Sequence, residues 1–318
     1  MKTTIAALVG PTGVGKTHVA IQLCQRTDAE IISMDSMQIY RGMDIGTAKP
    51  TPQEMQAVPH HLIDIADPKE TFTVADYRKL AFESIDDICS RNKLPLLVGG
   101  TGLYLNAVSY EMSMGEKGAN ESLRAELRQI AETEEGRAYL HDRLAKVDPQ
   151  SARKLHPNDT RRVIRALEIY EVSGKEKSAQ DDARKEGPYR VLVYGLSLPR
   201  EEMYARIDAR VNEMMAAGLV HEVETPLSQG IEPRPEGGAM QAIGYKEIAG
   251  ALRGEMTMSR AVDLIKQRSR RYAKRQWTWF RHDPRTQWFD WTDYDNRDAL
   301  VDALTETIKR DFALITQN

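Results

Sequence analysis

The sequence is short of cysteine and of long apolar runs, and both shortages exclude classes of protein. Its 318 residues contain two cysteines, Cys24 and Cys89, which lie far apart and without metal-ligand spacing. This argues against a disulfide framework or a zinc site and fits a reducing compartment. No apolar stretch approaches the ~20 residues of a membrane helix, and the N-terminus lacks a signal-peptide cleavage site. We therefore expect a cytoplasmic protein without a membrane partner.

A strong overall charge is also missing, but the local charge is uneven. The 47 acidic and 44 basic residues give a formal net charge of -3, which does not favour nucleic acid as a partner. Between Lys266 and Arg285, however, eight Lys or Arg accompany a single acid, Asp283. Such a patch is typical of a nucleic-acid-binding surface, although a solvated charged face is the alternative. The residues that would share one helical face here are Arg268, Arg271, Arg275 and Trp279.

A glycine-rich motif near the N-terminus predicts a phosphate site. The segment GPTGVGKT (10–17) matches the pattern G-x-x-x-x-G-K-[ST], with an apolar strand before it and a helix after it. Backbone N–H groups of such a loop, at the N-terminus of a helix, favour anions, and the lysine adds a point charge. The hydroxyl that follows the lysine can hold Mg²⁺. The predicted phosphate-binding residues are Gly10, Pro11, Thr12, Gly13, Val14, Gly15, Lys16 and Thr17, with Thr17 as the metal ligand.

The motif is common in ATP-binding proteins, but it does not determine the reaction. A P-loop kinase usually has a second apolar strand that ends in a Mg²⁺-binding Asp. Here the strand KLPLLVG ends in Gly99-Gly100-Thr101, without an acid. The carboxylate that follows a strand is Asp35 instead. The sequence therefore predicts polyphosphate binding and leaves the chemistry open.

The order of patterns predicts an α/β protein of about two domains. We expect a P-loop NTPase-like parallel sheet flanked by helices, with a mostly helical insertion that begins with a linker at 113–120. The core comprises 1–112 and 190–318, and the insertion 113–189. His60 and His61 are predicted to be loop residues without a metal. The predicted strands are 5–10, 30–36, 93–99 and 190–198, and the long helices are 17–26, 73–92, 200–218, 256–282 and 296–315.

Six segments, in chain order, form a set: GPTGVGKT (10–17), DSMQIYRGMDIGTAKP (35–50), LLVGGTGLY (96–104), HPNDTRRVIRALE (156–168), AIGYKE (242–247) and AKRQWTWFR (273–281). Together they closely resemble the bacterial tRNA dimethylallyltransferase family. The resemblance implies transfer of a dimethylallyl group from dimethylallyl diphosphate to the exocyclic N6 amine of adenine 37, just 3′ of the tRNA anticodon. Diphosphate leaves, so the phosphate loop would hold this product.

The same resemblance assigns roles to individual residues. Asp35 matches the family's general base, and Arg210 the arginine that stabilises the departing diphosphate. Thr101 is expected to contact the diphosphate or the nucleotide. The target adenine must leave its stack to reach a buried carboxylate. The predicted tRNA-binding residues are Asp35, Ser36, Met37, Gln38, Thr101, Arg161, Arg162, Arg165, Gln241, Gly244, Lys246, Arg271 and Arg275.

Other functions remain compatible with the phosphate loop. One is an isopentenyltransferase that acts on free adenine nucleotide, although such a substrate needs neither the insertion nor the basic helix. A P-loop small-molecule kinase is another, and the missing strand-end Asp weighs against it. A non-catalytic RNA-binding protein is a further alternative. We expect a monomer that binds the anticodon stem-loop and uses Mg²⁺.

Overall fold

The structure is a computed structural model that describes residues 2–111, 120–182, 185–234 and 237–316. Apart from Asn120, the predicted linker at 113–120 lies outside these residues. The chain divides into two compact units, one made of Met1–Ser109 and Pro188–Asn318 and the other of Tyr110–Gly187. Of the described helices, none combines the length and the apolar composition needed to cross a membrane.

A parallel sheet forms the centre of the larger unit. All of its described strand pairs are parallel, and the order across the sheet is β3-β2-β4-β1-β5-β6. This confirms the predicted α/β class. The strands are β1 (Thr3–Val9), β2 (Ala29–Met34), β3 (His60–His61), β4 (Leu94–Gly99), β5 (Tyr189–Ser197) and β6 (Thr286–Asp290).

Helices cover both faces of the sheet, which explains why β1 is apolar on both sides. Ala6 and Leu8 belong to one core cluster, whereas Ile5 and Ala7 belong to the cluster on the opposite face. The helices of this unit are α1 (Lys16–Thr27), α2 (Pro52–Ala57), α3 (Val74–Ser90) and α4 (Gly102–Ser109), followed after the insertion by α10 (Arg200–Ala216), α11 (Leu219–Ser228), α12 (Tyr245–Leu252), α13 (Met258–Arg281) and α14 (Arg297–Thr316).

A third apolar cluster joins the C-terminal helices to the segment after β2. Ile39 and Met43 from that segment pack with Val223 of α11, Ile248 of α12 and Ile265 of α13. The packing holds the chain that follows Asp35 against α11–α13. Residues of the segments 35–50 and 242–247 thereby belong to one cluster with the first half of α13.

The smaller unit is helical and has its own core. Leu127, Leu144 and Leu167 are fully buried in it. Glu168 is also buried and accepts hydrogen bonds from Arg165 and from the backbone of Asn120. The helices are α5 (Glu121–Ile130), α6 (Glu134–Val147), α7 (Pro149–Lys154), α8 (Thr160–Ser173) and α9 (Lys177–Asp182).

The two shortest strands differ from the sequence prediction. The His pair was expected in a loop, but it forms β3, which pairs with Ile31 and Ile32. The strand β6 was not predicted either. Two to five residues are too few to show an alternating pattern, so tertiary pairing alone defines these strands.

Candidate active site

The site lies where three neighbouring strands end. Gly10 follows β1, Asp35 follows β2 and Gly100 follows β4. These strands are adjacent in the sheet and parallel. Their carboxyl ends therefore meet at one edge, where α/β proteins commonly bind ligands.

The phosphate loop has a backbone that requires glycine. Gly13 and Gly15 have φ angles of 86° and 95°, in the region that L side chains avoid. A Cβ on Gly13 would also lie 2.9 Å from Ile207 Cγ1. The loop ends at Lys16, the first residue of α1, so its N–H groups lie at the positive end of a helix.

The side chain of Lys16 folds back onto the phosphate loop. Its Nζ donates hydrogen bonds of 2.9 Å to the carbonyl oxygens of Gly10 and Pro11. Burial lowers the pKa of Lys16 to about 8; the charge of Arg210 adds to this effect, and that of Asp35 opposes it. An anion bound near Lys16 would therefore stabilise the charged form of its side chain.

Distant side chains brace the phosphate loop. The Oε1 of Gln276, on α13, accepts a 2.8 Å hydrogen bond from the Thr12 N–H, and its Nε2 donates 3.0 Å to the Gly100 carbonyl. The indole N–H of Trp291 donates to the Val14 carbonyl at 2.8 Å. Sequence reasoning missed Gln276 as a site residue. Its place in AKRQWTWFR, four residues after Tyr272, was the available signal.

Two cavities meet at Asp35. The first, of about 260 Å³, is bounded by the phosphate loop and includes Lys16 and Thr17. The second, of about 320 Å³, opens beside it and is bounded by α10, α13 and the segment before α12. The residues that line both are Thr12, Asp35, Thr47, Ala48, Arg210 and Tyr272.

Asp35 is held and electrostatically tuned at this junction. The Met37 N–H donates a 2.8 Å hydrogen bond to its Oδ1. Burial raises the pKa of the Asp35 carboxyl, while that hydrogen bond and the charge of Lys16 act in the opposite direction. A carboxylate with a raised pKa is a better proton acceptor than an ordinary surface Asp.

Arg210 and Tyr272 flank Asp35, and Thr101 lies off the cavities. Burial lowers the pKa of Arg210, and the charge of Glu213 opposes this. Burial, reinforced by the Asp35 charge, raises the pKa of Tyr272 to about 12. The Thr101 hydroxyl is buried and interacts with Tyr272 electrostatically, without a well-formed hydrogen bond to any described residue. Thr101 does not appear in the wall of either cavity.

The segment after Asp35 is fixed by its own contacts. Gln38 accepts from the Ser33 hydroxyl at 3.1 Å and donates to the carbonyls of Thr47 and Ala48. Its amide is thus bonded to protein groups and lines the first cavity. Ser36 and Met37 line the second.

Glu222, on α11, anchors the next part of the same segment. Its carboxylate accepts the N–H groups of Asp44, Ile45 and Gly46 at 2.7–2.8 Å. It also accepts a 2.5 Å hydrogen bond from the Tyr245 hydroxyl. One side chain thereby ties the loop between the cavities to α11 and α12.

Most of the predicted RNA-binding residues of the larger unit line the second cavity, but Gln38, Thr101 and Arg271 do not. Gln241, Gly244, Lys246 and Arg275 line it, and the Lys246 Nζ donates to the Gln241 carbonyl at 2.6 Å. Arg271 is exposed on α13.

The other predicted RNA-binding arginines belong to α8 of the smaller unit. Arg161 and Arg162 are exposed there. Arg162 forms an ion pair of 3.3 Å with Asp159, and Arg165 one of 2.6 Å with Glu168.

Among the described residues, no group of three or more His, Cys, Asp or Glu side chains is arranged to hold a metal ion. Thr17 lines the phosphate cavity. This arrangement fits Mg²⁺ that is held mainly by phosphate oxygens and water, since Mg²⁺ seldom uses an all-protein cage.

Comparisons with known proteins agree with this geometry. The family model described as IPP transferase matches residues 38–283. A tRNA dimethylallyltransferase of Halalkalibacterium halodurans is 48% identical over 93% of this chain and 93% of its own length. The solved tRNA isopentenylpyrophosphate transferase of Bacillus halodurans is 44% identical, covers 100% of both chains and has a TM-score of 0.75.

A solved eukaryotic dimethylallyltransferase, described as acting on tRNA, is 30% identical to this chain. The match covers 98% of this chain and 79% of that one, with a TM-score of 0.81. The extent of these matches, together with the phosphate loop and its adjoining carboxylate, means that the chain belongs to the IPP transferase family.

Proposed function

We propose that this protein is a tRNA dimethylallyltransferase. It transfers the dimethylallyl group of dimethylallyl diphosphate to the exocyclic N6 amine of adenine 37, just 3′ of the tRNA anticodon, and releases diphosphate. The observation that carries the proposal is the position of Asp35 at the junction of a phosphate-binding cavity and a second cavity. Relatives named tRNA dimethylallyltransferase, 48% identical over most of the chain, support it.

The first cavity suits the donor. The loop N–H groups and Lys16 would bind the diphosphate, and Arg210 would approach it from the side of Asp35. Thr17 would hold Mg²⁺, which neutralises part of the phosphate charge when it is bound. These fixed positive groups stabilise the charge that develops on the leaving diphosphate.

The second cavity suits the acceptor. An adenine that is extruded from the anticodon loop would enter it and present N6 to Asp35, at a cost of a few kcal/mol for unstacking. Ser36, Met37 and Gln241 line this space and are proposed to contact the base. The remaining RNA contacts are assigned to Arg271 and Arg275, and to the arginines of α8.

The reaction requires one bond to form and one to break. The N6–C1 bond forms as the C1–O bond to the diphosphate breaks, and Asp35 accepts the N6 proton. Such general-base help contributes about 10²–10⁴-fold to rate. The electrons of the broken bond leave with the diphosphate. Because the donor already carries this leaving group, ATP is not consumed. Because one chain lines both cavities, we propose that the enzyme acts as a monomer, in the cytoplasm where tRNA is modified.

The test supplies labelled dimethylallyl diphosphate and Mg²⁺, without ATP, to either unmodified tRNA or AMP. We expect label in tRNA alone. Label in AMP alone would identify an enzyme of free nucleotides and overturn the proposal. A protein that labels neither substrate but phosphorylates a small molecule from ATP would be a kinase instead.

A further inference from the structure

One face of α13 follows the edge of the candidate active site. Tyr272, Gln276 and Trp279 are spaced four and three residues apart, so they project from the same side of the helix. Tyr272 borders both cavities, and Gln276 bonds to Gly100. A Cβ on Gly102 would overlap the Trp279 indole, so this ring lies directly against the start of α4.

Trp279 differs from the other three tryptophans in its surroundings. Trp277 packs on Trp288 with ring centroids 4.7 Å apart, and Trp291 bonds to the phosphate loop. Trp279 is 43% exposed although its edge is fixed against Gly102. Leu103, which follows Gly102 in α4, is 47% exposed. The indole thus packs against the start of α4 and leaves part of its surface open to solvent.

The charges around Trp279 favour a polyanion. Within the described part of the chain, Arg271 and Arg275 have no carboxylate partner, whereas Arg268 pairs with Glu247. Arg271, Arg275 and Trp279 recur every four residues along α13. A basic surface with an aromatic ring is typical of proteins that bind single-stranded nucleic acid. An apolar protein partner would instead leave these cations desolvated and unpaired.

The distance from the second cavity limits which nucleotide can reach this ring. Trp279 lies seven positions after Tyr272 on the helix, which is about 10 Å along the axis. Stacked nucleotides advance ~3.4 Å each, so about three of them span that distance. A base near the extruded adenine would therefore reach Trp279 while the adenine occupies the second cavity.

We propose that Trp279 is a stacking platform for an RNA base within about three nucleotides of the adenine that is modified. The inference rests on the proposed function and adds a specific RNA contact to it. Stacking on an aromatic side chain tolerates any base, so Trp279 strengthens binding without selecting sequence.

The first experiment measures tRNA affinity for Trp279→Ala and Trp279→Phe. Loss of the ring should weaken binding about 5- to 150-fold, and phenylalanine should restore most of it. Trp277→Phe is the matched control, because that ring packs internally, and its affinity should match the wild type. The affinity for inorganic diphosphate should stay unchanged in Trp279→Phe and Trp279→Ala, which shows that the phosphate loop is intact.

The second experiment identifies the base with anticodon stem-loops that each carry one abasic nucleotide. At one position near the target adenine, the abasic substitution should weaken binding to the wild type. The same substitution should not weaken binding to Trp279→Ala any further. Equal affinity of wild type and Trp279→Ala, or losses that add at every position, would overturn the inference. If the wild type labels tRNA but shows either of these outcomes, only the stacking role fails. Absence of label in tRNA would mark failure of the proposed function.

Discussion

Burial shifts the pKa values of two charged groups of the candidate site in opposite directions. It lowers the pKa of Lys16 to about 8 and raises the pKa of Asp35. Both shifts reflect the cost of keeping a charge away from water. The sequence predicted these residues from motif and resemblance, but the shifts depend on burial that appears only in the folded structure.

Diphosphate affinity should depend on the protonation of Lys16. The free protein has a Lys16 pKa of about 8, and a bound anion raises it, so binding takes up a proton above that pH. Calorimetry with inorganic diphosphate should show affinity that weakens as the pH rises through about 8. In Lys16→Arg the side chain stays charged, which separates this effect from the ionisation of diphosphate itself. Wild-type and variant profiles of the same shape would contradict the role of Lys16.

Replacement of Asp35 should affect chemistry far more than binding. Asp35→Asn keeps the size of the side chain and removes the base, so single-turnover transfer should slow by about 10²–10⁴-fold. The tRNA dissociation constant should change little. Asp44→Asn is the control, since this carboxylate lies in the same segment but lines neither cavity at the junction. Near-normal transfer by Asp35→Asn would remove Asp35 as the base.

At the scale of elements, the site depends on contacts between segments that are remote in sequence. Gln276 and Thr12 are 264 residues apart, and Glu222 and Asp44 are 178 apart. The strands β1, β2 and β4 could be predicted because each is an apolar run next to a motif. The role of Gln276 could not, because it requires α13 to lie beside the carboxyl ends of β1 and β4. The same reason explains why β3 and β6 escaped prediction.

The Gln276 bridge should stabilise both the fold and the phosphate loop. Gln276→Leu leaves the Thr12 N–H and the Gly100 carbonyl without their partner, which should lower the free energy of unfolding by about 1–3 kcal/mol. Diphosphate should also bind more weakly, because the loop loses a brace. Urea unfolding and calorimetry measure the two effects. Gln267→Leu, at an exposed position of α13, is the control; equal stability of the two variants would argue against the bridge.

At the scale of the whole molecule, a net charge of -3 coexists with a basic helical face. Among the described residues, three of the basic residues between Lys266 and Arg285 form ion pairs with acids: Arg268 with Glu247, Arg270 with Asp208 and Arg285 with Asp283. The sequence predicted the basic cluster but not which members are neutralised. That distinction depends on acids contributed by other elements, except for Asp283.

Arg271 and Arg275, which have no carboxylate partner in the part of the chain that the structure describes, should set part of the salt dependence of tRNA binding. Removal of Arg271 and Arg275 together should weaken binding and make the slope of log K against log salt shallower by about 1.4, if each contacts one phosphate. Titrations at several salt concentrations measure this slope. Lys309→Ala, on α14, removes an exposed charge that pairs with Glu306 on the same helix, and should leave the slope unchanged. A slope unaffected by the double change would locate the RNA elsewhere.

We propose that the phosphate loop holds the leaving diphosphate and that Asp35 accepts the proton of the RNA amine beside it. The most direct test counts diphosphate released and dimethylallyl groups incorporated, in the same tube and without ATP. We predict one diphosphate for each group transferred to tRNA, with release that depends on tRNA and nearly stops in Asp35→Asn. Release that proceeds equally without tRNA, or transfer that requires ATP, would contradict this proposal.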